Sequence, residues 1–143
     1  MLRRRRNVAV MLAVFAAGIV SLAQTGIDPA LQGNWMVVGS EHQGKPTSAL
    51  NGGTMTVTKT RFEIHTAAGN LLTGELRLDR KKRPAQMDFL HDSGLHWEAI
   101  YQVRGDDLKL NYVAAGGKDK RPSSFATSPE SEASVVILKR QNK

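Results

Sequence analysis

The residues of this chain that could do chemistry gather in one place. His91 and Asp92 lie a few positions before His96 and Glu98. Two imidazoles and two carboxylates are a set that zinc accepts. The local pattern argues against it. Asp92-Ser93-Gly94 is ordinary turn chemistry. His96 and Glu98 alternate with Trp97, which puts them on the opposite, outward face of a strand. No metal is expected. His42 and His65 also fall off the apolar faces and read as solvated. Ser123-Ser124 lacks the Gly-x-Ser-x-Gly context of a serine nucleophile. No glycine-rich loop follows a strand and opens a helix, as a phosphate cradle requires. Asp106-Asp107 is a carboxylate pair, but it sits in a hairpin turn. With no cysteine, thiol catalysis, disulfides and cysteine-based zinc are excluded. The expectation is a protein that is not an enzyme and carries no cofactor.

A second set is more suggestive. Phe62, Phe89, Trp97, Tyr101 and Tyr112 fall on one strand face together with aliphatic residues. The two tyrosine hydroxyls are nearly the only polar atoms of that face. If the face encloses a space, these are apolar walls and polar anchors for a small lipophilic ligand. If it encloses none, they are core.

What must position them is a series of short strands. Alternating apolar residues predict strands at about 34–40, 54–58, 61–66, 71–78, 85–90, 95–103, 108–113 and 134–140. Gln43-Gly44-Lys45-Pro46 reads as a turn, and Thr47–Asn51 could hold one helical turn. The connections can be checked against the faces, because a one-residue slip would invert every side chain. A Lys59-Thr60 loop sets Val57 opposite Phe62. Asp92-Ser93-Gly94 sets Phe89 opposite Trp97. Ala68-Gly69-Asn70 sets Ile64 opposite Gly74 and Phe62 opposite Leu76. Arg104-Gly105 sets Tyr101 opposite Leu108 and Trp97 opposite Tyr112. Each register keeps the apolar residues on one face, which argues for a meander of sequential antiparallel neighbours. Eight such strands should close, since closure removes exposed edges. The predicted fold is all-β: a small eight-stranded antiparallel up-and-down barrel.

The first 23 residues stand apart. Arg3–Arg6 precede Val8–Ala23, a 16-residue uncharged run that ends in Ser21-Leu22-Ala23. That is the pattern of a secretory signal peptide. The alternative is an uncleaved membrane anchor, for which the run is short against the roughly 20 residues of a spanning helix. Residues 24–143 then form a single domain, periplasmic or extracellular, whose only membrane contact would be an uncleaved signal. The net charge of +7 overstates this domain. Its sixteen basic residues face thirteen acidic ones, a net of +3, which calls for no polyanionic partner. Nucleic acid is not expected, because basic residues are not interleaved with exposed aromatics on a strand face. A monomer is expected.

Gly33-x-Trp35 at the start of the first strand, with Arg140 on the last, resembles the lipocalin pattern. There the arginine packs over the tryptophan and closes one end of the barrel. A smaller relative is similar over about residues 30–140: a lipocalin-like domain family common in planctomycetes. The resemblance is carried by Leu31-Gln32-Gly33-Asn34-Trp35, Gly44-Lys45-Pro46, Gly74-Glu75-Leu76-Arg77-Leu78-Asp79, Ile100–Leu110, Arg121-Pro122 with Phe125, and Val136-Ile137-Leu138-Lys139-Arg140. It implies a barrel in which Gly33, Trp35 and Arg140 serve closure, and it brings no catalytic residue, cofactor or substrate. Short loops and the lack of a helix after the last strand depart from true lipocalins and imply a reduced cavity.

Two functions follow as expectations. One is an exported lipocalin-like domain that binds a small hydrophobic molecule inside the barrel. The other is a solid-cored interaction or structural module of the cell envelope, acting through Arg80–Arg83 and the long 114–133 loop. Interior volume discriminates: a cavity of about 300 Å³ or more favours the first.

Overall fold

In the computed structural model, residues 26–142 are described; the signal segment, and whether it is cleaved, lies outside them. The alternating runs form β1 (Gly33–His42), β2 (Lys45–Thr47), β3 (Thr54–Thr58), β4 (Arg61–His65), β5 (Leu71–Asp79), β6 (Ala85–His91), β7 (His96–Arg104), β8 (Asp107–Ala114) and β9 (Ser134–Arg140). A short 3-10 helix, Pro29–Leu31, precedes them. Sequential strands pair antiparallel and β9 returns to β1, which closes an eight-stranded barrel with β2 as an extra strand. The predicted fold class holds. Among the described residues no helix is long and apolar enough to cross a membrane.

Two predicted registers hold: Val57 faces Phe62, and Phe89 faces Trp97. Two are shifted by two residues. Phe62 faces Gly74 and Ile64 faces Leu72; Tyr101 faces Leu110 and Ala99 faces Tyr112. A two-residue shift leaves every side chain on its own face, so hydrophobic alternation does not detect it. The turns decide. Residues 67–69 make the β4–β5 turn, with Gly69 at φ 98° in its last place. Gly105, at φ 59°, opens the β7–β8 turn instead of ending it. The 43–46 turn is tighter than expected: Gln43 and Gly44 both take positive φ, and β2 follows at once. Residues 48–52 form hydrogen-bonded turns with no helix. In β1 the pairing with β9 shifts between Val37 and Gly39, so Val38 is the extra residue of a bulge and lies exposed.

The barrel has one shut end. Trp35 is fully buried and its indole Nε1 donates to Leu31 O at 2.9 Å. The Arg140 guanidinium lies 4.3 Å over the indole. It also donates to Gln32 O at 2.7 Å and Ala30 O at 2.8 Å. Gly33 makes room for it: a Cβ there would meet Arg140 Nη1 at 3.1 Å, and its φ of 118° suits glycine. Asp28 caps the 3-10 helix by accepting from Ala30 N at 3.0 Å, and it accepts the Tyr101 hydroxyl at 2.8 Å. Three strands, β1, β7 and β9, and the chain's lead-in are thereby tied into one plug.

The long loop after β8 is folded onto the outside of the barrel. Asn111, fully buried, donates to Ser124 O at 2.7 Å. Arg121 reaches Ala99 O at 2.9 Å and pairs with Asp88 at 2.6 Å. Beneath the loop Ile100, Val113 and Val135 are buried although they alternate outward.

Candidate binding site at the open end

The end opposite the plug is open. It holds a cavity of about 100 Å³. Its walls come from β1 (Val37), β4 (Ile64), β5 (Leu72), β7 (Trp97), β8 (Leu110, Tyr112) and β9 (Val136, Leu138), with Phe89 and Met55 deeper. Leu50, Thr54 and Ala67 stand at the rim. Each wall residue is there because period-2 alternation turns it inward and the barrel closes around it.

The five inner-face aromatics divide. Phe89, Trp97 and Tyr112 line the cavity. The Trp97 and Tyr112 rings stack at 4.7 Å, inclined by 27°, and Phe89 sets its edge against Trp97 at 5.6 Å. Phe62 is absent from the wall. It is buried against Phe89 at 5.1 Å, edge to face. Tyr101 is not at this end at all. Its hydroxyl is taken by Asp28 in the plug, and burial together with that bond pushes its pKa well up. Burial also pushes the Tyr112 hydroxyl up, while the Ser134 side chain acts the other way.

The residues of the suspected metal cluster are dispersed. Asp92 is clamped by Arg61 at 2.7 Å and by the Thr73 hydroxyl at 2.7 Å, which hold its carboxyl down at about 2. His96 and Glu98 face outward, beside Asp88 and Arg121. His91 departs most from expectation. It is the last residue of β6, not part of a turn, and alternation points it inward with Phe89. It is 6% exposed and packs 4.4 Å from Trp97 and 5.2 Å from Phe62. Neither ring nitrogen has a hydrogen-bond partner, and burial lowers its pKa. Extending the alternation Met87, Phe89 by one step would have found it. Among the described residues no group of three potential ligands could hold a metal ion.

The basic run is also engaged by its own chain. Arg80 reaches Ile27 O at 3.2 Å and Asp28 at 3.7 Å, and Arg83 folds back onto Arg80 O at 3.0 Å.

No family model and no curated protein matches this chain. Among solved structures, a de novo designed fluorescence-activating β-barrel is similar, at a TM-score of 0.44 and 18% identity, over 77% of this chain and 93% of the design.

Proposed function

We propose that this protein is an exported, lipocalin-like barrel that binds one slender apolar group at its open end, as a monomer and without catalysis. The observation that carries the reading is the cavity itself: about 100 Å³, apolar, and walled by Trp97 and Tyr112. Its size sets the ligand. A cavity of about 150 Å³ takes a benzene molecule, so this one takes a chain of about four carbons. That falls short of the roughly 300 Å³ that would engulf a whole lipophile, so the buried part is a tip or a small molecule. The smallness also favours the rival reading, a solid-cored interaction module. That reading is weakened because Arg80, Arg83 and residues of the long loop are engaged in contacts within the chain.

Titration of the isotope-labelled protein with 1-pentanol, followed by NMR, tests the proposal. Saturable shifts should appear at the Trp97 indole and at the Leu110 and Val136 methyl groups. Leu72→Trp, at the half-exposed mouth, should abolish them. Shifts absent up to the solubility limit would leave the barrel filled and the interaction reading standing.

A further inference from the structure

The cavity has an asymmetric rim. Tyr112 on β8 faces Ser134 on β9, and Ser134 faces His42 on β1. Residues directly opposite in an antiparallel ladder share a face. Tyr112 lines the cavity, so all three lie on the inner side. The rung below is Leu110, Val136 and Ser40, two residues or about 7 Å deeper. The row is therefore a polar crest on the β8–β9–β1 side of the mouth, where Thr54 and Thr66 are the other polar side chains of the lining. His42 Nδ1 stands 3.0 Å from Ser134 Oγ. With the proton on Nδ1 the imidazole donates to the serine, and the serine hydroxyl hydrogen is left to turn to the Tyr112 oxygen or to the mouth. The tyrosine hydroxyl offers a second donor beside it.

Resting on the binding reading above, we propose that the ligand is a short-chain carboxylic acid. Its alkyl tail fills the cavity, and its carboxylate accepts hydrogen bonds from the hydroxyls of Tyr112 and Ser134, with His42 holding the serine. Donors facing a charged acceptor make the stronger class of hydrogen bond. Nothing acidic opposes the head group along this row: the neighbouring Glu41 accepts from the Thr127 hydroxyl at 2.8 Å, and its partner in β9 is Val135, off the inner face. The row is not a hydrolytic site. Among the described residues no carboxylate pairs with His42, so the third group that orients a catalytic base is missing.

The test compares pentanoate, 1-pentanol and decanoate by the same NMR titration. Pentanoate should bind at least tenfold tighter than 1-pentanol. Decanoate should show no such advantage over 1-decanol, since its length carries the carboxylate past the row. In the Tyr112→Phe/Ser134→Ala double variant, which keeps the ring wall, the preference for pentanoate over 1-pentanol should fall below threefold. Equal binding of pentanoate and pentanol to the unmodified protein would overturn the head-group assignment and leave the cavity reading intact. A preference that survives in the double variant would also overturn it. Failure of both ligands to bind would overturn the cavity reading, and this inference with it.

Discussion

Gly74 is where the inner aromatic cluster meets the barrel wall, and adding one methyl group there should be costly. Gly74 lies opposite Phe62 on one side and His91 on the other. A Cβ would meet the Phe62 ring at 2.8 Å, His91 Cα at 2.8 Å and, closer still, Leu90 O. The backbone at Gly74 lies outside the left-handed region, so space alone bars alanine. Two of the three obstacles are backbone of a paired strand and have nowhere to go. Overpacking of a core costs typically about 1–3 kcal/mol, and an unyielding neighbour points to the upper end. Alanine also stiffens the unfolded chain, which returns about 0.4–1 kcal/mol. The net for Gly74→Ala is a loss of about 2 kcal/mol, or about 8 °C in Tm for a domain of this size. Urea unfolding followed by tryptophan fluorescence measures it. Phe62→Leu removes the ring edge but not the Leu90 carbonyl. The Gly74→Ala/Phe62→Leu pair should therefore recover about 1 kcal/mol of the expected sum, within the range of coupling between touching residues. A Tm unchanged or raised by Gly74→Ala would refute the close approach on which the Phe62–His91–Trp97 cluster rests.

Two further predictions concern the plug and the buried imidazole. Trp35→Ala should cost about 3–5 kcal/mol, and Arg140→Lys about 1–2 kcal/mol, because lysine keeps the charge but loses the fork that spans two carbonyls. Chemical denaturation of the single and double variants should show strong coupling; additive losses would mean that Arg140 does not act through the indole. His91 should make the protein acid-sensitive. Its pKa is lowered from the model-peptide value of 6.5, so the unfolded chain takes up a proton that the folded chain refuses. Stability is then full above pH 6.5 and falls as the pH drops below it, by about 1.4 kcal/mol per unit until the folded pKa is reached. His91→Phe should remove that slope below pH 6.5, measured by urea midpoints. Asp92, held down at about 2, begins to lose its contribution only below its ordinary 3.8. An identical slope in both proteins would refute the argument.

Much of this architecture is local and therefore legible in order along the chain. Repeated alternation dictates strands, and it dictates which residues face in, because side-chain direction follows backbone pleat and nothing else. The inward set of Phe62, Phe89, Trp97, Tyr101 and Tyr112 could thus be named from spacing alone. Closure followed from the need to hide sheet edges. What alternation does not carry is position along the barrel axis. Tyr101 and Tyr112 are equivalent by face, yet one is buried in the plug on Asp28 and the other borders the open mouth.

That difference depends on where strands far apart in sequence come into register. The same holds for the two-residue shifts at β4–β5 and β7–β8, which turn glycines set. It holds for the row Tyr112, Ser134, His42, whose members join only when β9 returns to β1. His42 changes face because of the bulge at Val38, one extra residue that inverts everything after it. The fate of the long loop was equally non-local: Asn111 and Arg121 draw it onto the barrel's outer wall. Sequence by itself determined the class of fold and the inner and outer faces, consequences of the two-residue period, while the residues able to shut one end were legible only through the resemblance of Gly33-x-Trp35 and Arg140 to a known pattern. Only the tertiary structure decided which end stayed open, how little space remained inside, and which polar groups border it, because those follow from register and from packing volume summed over eight strands.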